Sequence, residues 1–247
     1  MVSAVVVLSL AALAAAIPAK RQTPHYPPSS QSTGFTLIAN VTDPSKDFSP
    51  SISGLVLEGI HVGAGLNVAT LSSAANSAGN IFYENGTASD IFSGGPVDIL
   101  MDGGTPLFPW GITVQSPTVF DTTYPAEHDV FVNAGTGTQA SLTRFPNPYP
   151  YLANGQGTGT FVACNNTVPY YRANFITVQY AYATFTAPDG SYDYQANIPD
   201  GCAPINLVAQ CATLDTLPAG SISSHQYAAT VQCYDDVASI DWSQYGP

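Results

Sequence analysis

Positive charge is the scarcest feature of this sequence. Its 247 residues hold five Lys and Arg against seventeen Asp and Glu. Nucleic acid and anionic membranes are poor partners for such a chain, because both are bound through cationic surface. The chemistry-bearing motifs are missing too. No G-x-S-x-G elbow, H-E-x-x-H pair, phosphate loop, dinucleotide-binding glycine pattern or D-x-[DN]-x-[DN]-G calcium loop occurs. The four cysteines include no C-x-x-C, which argues against a zinc site. No ten-residue window shows capped helical periodicity, so little helix is expected. Beyond the N-terminus no segment is long enough to cross a membrane, and the tail SIDWSQYGP has no apolar run to direct a lipid anchor. No catalytic residue, metal or cofactor is assigned.

What is present begins with an address. Residues 4–16 are a short apolar run ending in small residues, the form of a signal peptide cleaved after Ala16. Lys20 and Arg21 follow as a dibasic site, giving a pro-segment over residues 17–21 and a mature start at Gln22. Cleavage there leaves Lys46, Arg144 and Arg172 as the only Lys or Arg. Residues 22–33, rich in Pro, Ser, Thr and Gln, read as a disordered leader. Residues 34–247 read as one domain. Three N-x-S/T sequons, at Asn40, Asn85 and Asn165, suit a secreted glycoprotein.

From Gly34 the pattern alternates with period two, and the fold class expected is all-β: an antiparallel sandwich or barrel-like domain with two disulfides. Strands are expected at 35–42, in a hairpin over 54–71 turning at Gly63 to Gly65, and at 81–87, 97–101, 109–115 and 129–137. Residues 144–158, with three prolines, read as a long exposed loop carrying Phe145, Tyr149 and Tyr151. The stretch from Thr160 to Phe185 holds the strongest strand signal, residues 174–186, with Ile176, Val178, Tyr180 and Tyr182 on one face. A return strand follows within 191–198, then strands at 204–211 and 225–233, and a tail whose Trp242 packs back on the body.

Four cysteines in a secreted chain make two disulfides in one of three connectivities. Cys211 shares a strand face with Ile205, Leu207 and Ala209; Cys233 shares one with Tyr227, Ala229 and Val231. Both therefore point to the core, which favours Cys211–Cys233 and leaves Cys164 with Cys202.

Candidate site residues are sparse. His25, His61, His128 and His225 stand without a second ligand at fixed spacing, and His25 lies three residues beyond the Gln22 start, out of place for the copper-binding N-terminal histidine of polysaccharide oxygenases. Glu58, Glu127, Asp129, Asp235 and Asp236 could supply a glycosidase pair by number, though nothing sets two of them at a defined separation. The aromatics point further. Tyr149 and Tyr151 in the proline loop, and Tyr170 and Tyr171 between two strands, could stack on sugar rings; the plainer alternative is that they cover the core.

Several motifs resemble secreted proteins of filamentous fungi. GIHVGAGLNVATL at 59–71, FPWGI at 108–112 and the block GTFVACNN with a later cysteine resemble a fungal extracellular family of unknown function. The C-terminal half is more loosely similar to phialide-type cell wall proteins, in which a strand ending F-x-A-C precedes a Tyr/Val-rich strand and a cysteine. Here those are Phe161, Cys164, residues 174–186 and Cys202, while Cys211 and Cys233 depart from that pattern. The resemblance implies a secreted, extracellular or cell-wall-associated protein with a structural, adhesive or interaction role, and carries over no catalytic residues. The expected partner is a cell-wall polysaccharide or another extracellular molecule; the alternatives are a carbohydrate-binding module using the tyrosines, or a glycan-active enzyme with paired carboxylates.

Overall fold

Most segments that alternate with period two in the sequence form strands. The computed structural model describes residues 26–77, 79–93, 97–116, 128–144, 149–186 and 193–245. The segments expected to be signal peptide and pro-segment, together with His25, Glu127 and Phe145, lie outside the described residues.

In chain order the strands are β1 (Ser30–Ser32), β2 (Gly34–Val41), β3 (Val56–Gly63), β4 (Leu66–Ser72), β5 (Phe82–Asn85), β6 (Asp98–Gly103), β7 (Phe108–Val114) and β8 (His128–Ala134). Then come β9 (Ala140–Leu142), β10 (Leu152–Asn154), β11 (Gly159–Val168), β12 (Ala173–Tyr182), β13 (Thr184–Thr186), β14 (Asp193–Gln195), β15 (Cys202–Ala212) and β16 (Val231–Cys233). One α-helix, α1 (Ala88–Ser93), and three short 3-10 turns complete the described residues.

Ten strands hydrogen-bond in the order β11-β15-β2-β3-β4-β12-β8-β7-β6-β5, and the further pairings β11–β12, β2–β5 and β4–β8 roll them into a closed antiparallel barrel of nine strands. Closure removes the free edges that a sheet of this size would otherwise expose. The β3–β4 hairpin is wedged into the wall. β2 faces β5 at Phe35 and β3 at Ile38, while β12 faces β4 at Ile176 and Thr177 and β8 at Gln179 and Tyr180. Alternate residues point inward. Phe35, Leu37, Leu57, Phe82, Ile112, Val132, Phe161, Val178, Ile205 and Leu207 form one buried core.

The two disulfides are Cys164–Cys202 and Cys211–Cys233. Cys164 and Cys202 stand directly opposite in the β11–β15 ladder, with Cα atoms 4.4 Å apart. That is the close spacing of a non-hydrogen-bonded antiparallel pair. The bond therefore staples two neighbouring strands. Cys233 ties the short β16 to the far end of β15.

Four segments differ from the sequence reading. The last residues of the leader are ordered: Ser30–Ser32 pair with Val231–Cys233, and Ser29 Oγ donates to Gln232. The proline loop contains β10, paired with β9, because Leu152 is 2% exposed and anchors the segment in the core. The expected strand at 174–186 breaks at Ala183, whose N–H turns away to the Thr158 carbonyl. Of the expected 225–233 strand only β16 forms; residues 225–228 close a turn and Tyr227 stands 50% exposed rather than facing the core.

Candidate functional site

The β11–β12 hairpin positions an exposed aromatic cluster. Its ladder runs without a break from Gly159 opposite Tyr182 to Val168 opposite Ala173. Pro169 to Arg172 form the turn, held by the Tyr171 and Arg172 N–H groups on the Val168 carbonyl, with Arg172 at φ 53°. Tyr170 and Tyr171 are thrown outward, 59% and 44% exposed. Their rings stand 5.1 Å apart; Tyr170 meets His61 at 5.7 Å and Tyr171 meets Phe175 at 5.4 Å. The four rings make a row across the end of β3 and the β11–β12 turn, edge-on from His61 to Tyr170 and from Tyr170 to Tyr171, and tilted from Tyr171 to Phe175.

Tyr149 and Tyr151 are not part of that row. Tyr151 bridges to Val208 of β15, and Tyr149 lies against Tyr26 and Trp242, 5.4 and 5.6 Å away. Both pack on a second cluster with Tyr234 and Val237, so they cover the core and dock the C-terminal tail. Because Val208 lies beyond the Phe161–Ile205 pair, this pair of tyrosines sits at the opposite end of β11 from Tyr170. A strand of that length separates them by about 30 Å. The four tyrosines named together as sugar-stacking candidates are thus two pairs in different surroundings.

The sequons are placed as follows. Asn165 is exposed on β11, while Asn40 on β2 and Asn85 on β5 are half-buried. Of the carboxylates, Glu58 lies opposite Thr70, Asp129 accepts from Gln179 Nε2, and Asp236 caps the turn at Val237–Ser239.

Two polar side-chain contacts had no signal in the sequence, since each joins residues far apart in the chain. His225 Nε2 lies 2.7 Å from Asp102 Oδ2, with the Tyr83 ring 4.9 Å from the imidazole. Burial, helped by the Asp102 charge, pushes the Tyr83 phenol up to about 12. This contact ties the segment before β16 to the outer face of β5 and β6. On the inner face, Glu84 is fully buried, accepts the Leu142 N–H at 3.1 Å and pairs with Arg144. Burial pushes the Glu84 carboxyl up, more than Arg144 and the hydrogen bonds lower it. Arg144 also reaches the Ile91 carbonyl at 3.4 Å. Among the described residues no three His, Cys, Asp or Glu side chains converge as metal ligands.

A domain of unknown function, DUF7907, matches residues 32–211. The chain belongs to the DUF7907 family. It is also 40% identical over 232 residues to a protein of Stachybotrys chartarum named "Antigenic protein SchS34", covering 94% of this chain and 99% of the relative. No solved structure matches it. The DUF7907 match ends at Cys211, so it contains the aromatic row and both partners of the Glu84–Arg144 pair, but not His225, Cys233 or Trp242.

Proposed function

We propose that this DUF7907 protein is a secreted, N-glycosylated extracellular protein that acts by binding rather than catalysis, with a cell-wall polysaccharide as partner and Tyr170 and Tyr171 as its contacts. The observation that carries this reading is the row His61–Tyr170–Tyr171–Phe175, in which Tyr170 and Tyr171 stand exposed at the end of a disulfide-stapled hairpin. Large aromatics left in water at a turn with no core to cover are uncommon, and their faces attract the C–H-rich faces of sugar rings. Rigid presentation reduces the ordering cost of binding.

Supporting observations concern location. Two disulfides suit an oxidising compartment. No helix among the described residues is long and apolar enough to cross a membrane. Asn165 pairs with Ile176 and so points to the face opposite Phe175, which keeps a glycan there clear of the aromatic row. The relative's name, an antigenic protein, fits a molecule presented outside the cell.

Retention of the secreted protein on chitin, β-glucan and cellulose tests the reading. Retention on at least one is expected; passage through all three overturns the polysaccharide assignment. Deglycosylation with a peptide N-glycosidase should lower its mass, with Asn165 the first site to be found converted to Asp.

A further inference from the structure

A groove of about 1190 Å³ opens on another side of the barrel, between α1 with its flanking residues, the end of β9 and the segment before β16. Its walls are largely apolar: Ile91, Phe92, Leu142, Ala228 and Ala229 line it. Phe92 stands on its rim 94% exposed, and Tyr227 beside it is 50% exposed. A contiguous apolar surface left open to water marks a binding site more often than chance exposure does. The polar feature that distinguishes this groove is Arg144. Among the described residues its guanidinium donates to two acceptors, the Glu84 carboxylate and the Ile91 carbonyl, whereas a guanidinium offers five N–H groups. Its side chain is 36% exposed, on the groove side, while Glu84 behind it is 0% exposed. A buried carboxylate thus holds a cation at the foot of an apolar cleft, in a protein otherwise short of positive charge.

We propose that this groove binds an amphipathic carboxylate of the fatty-acid class, its head group on Arg144 and its chain along Phe92, Leu142 and Ala228. Charge complementarity selects the head group: the planar fork of an arginine accepts a carboxylate through two parallel hydrogen bonds. Apolar area selects the tail, because the surrounding field of the acidic protein repels small anions that lack one. This site is separate from the aromatic row, and binding at either can fail without the other.

The test is titration of the intact protein with hexadecanoate below its micelle concentration, with dodecanoate and with hexadecanol. Hexadecanoate should bind saturably. Each further methylene that the groove covers should tighten binding about four-fold, and the alcohol should bind at least about ten-fold more weakly than the acid, the factor lost with a charge-assisted pair. The double substitution Glu84→Gln with Arg144→Gln removes the cation without stranding the buried carboxylate, and should erase the preference for acid over alcohol. Phe92→Asp, at a fully exposed position, keeps the fold and should weaken hexadecanoate at least about ten-fold through like-charge repulsion. Absence of saturable hexadecanoate binding, or equal affinity for acid and alcohol in the native protein, overturns the proposal; so does Phe92→Asp binding hexadecanoate as the native protein does.

Discussion

Glu84 and Arg144 illustrate what a single buried charge does in this molecule. Removing Arg144 alone strands Glu84 in the core, and Arg144→Met should cost about 3 kcal/mol in urea unfolding. Glu84→Gln should cost less, since it removes the desolvated charge along with its partner's attraction. The pH dependence has a definite sign. The Glu84 pKa is raised on folding, so the folded state holds the extra proton, and the contribution of Glu84 is full below its ordinary value of 4.5 and is lost as pH rises through the raised one. Replacing Glu84 with Gln should flatten that part of the stability profile. At the alkaline end, Tyr83 and Tyr234 are both pushed to about 12 by burial. Spectrophotometric titration should show two phenols ionising well above the ordinary 10, with stability falling between about pH 10 and 12 as they are forced to ionise. Neither contact could be read from the chain. In the sequence Asp102 opens an ordinary Asp-Gly-Gly run, although it lies near the end of strand β6, and Arg144 stands at the edge of a proline loop. Their partners are 123 and 60 residues away, and only the barrel's closure brings them together.

At the level of elements, the hairpins and the disulfides were legible because period-two alternation fixes which face a residue takes. The side-facing of Cys211 and Cys233 followed directly from it, and so did the hairpin over β3 and β4. What escaped were elements too short to alternate. β1, β10 and β16 have three residues each, and their pairing is set by tertiary neighbours. Ser30–Ser32 looked like leader because Ser and Gln carry no apolar signal, yet β16 offers it a ladder. Residues 225–229 looked like strand because Tyr, Ala and Ala are compatible with one, yet the turn at 225–228 brings His225 onto Asp102. The motif FPWGI resembles a family signature, and the structure gives part of it a packing reason: a side chain at Gly111 would meet the Gly137 backbone at 2.3 Å. The staples can be tested separately. The loops they close span 38 and 22 residues, so replacing either pair with Ser should cost about 3–4 kcal/mol in the chain-entropy account. Loss of Cys211–Cys233 should also free β16 and β1, which hydrogen exchange would show as early opening of Ser30–Ser32.

Across the whole molecule, the scarcity of cations limits what the surface can hold. With so few Lys and Arg against seventeen carboxylates, affinity for an anionic polymer would have to overcome repulsion. A neutral polysaccharide gripped by aromatic faces escapes that penalty, so retention should change little between low and high salt, whereas electrostatic attachment would weaken. The barrel places its aromatics at two distant ends of β11 for two purposes: Tyr149 and Tyr151 seal the core with Trp242, and Tyr170 and Tyr171 face water. The sequence showed four tyrosines of equal interest, and only the topology separates them. The central claim is therefore tested most directly by affinity electrophoresis in gels containing the polysaccharide that retains the native protein. Replacing both Tyr170 and Tyr171 with Ala should abolish the retardation, while replacing Tyr149 and Tyr151 with Phe should leave it intact. Undiminished retardation of the Tyr170→Ala, Tyr171→Ala protein would contradict that claim.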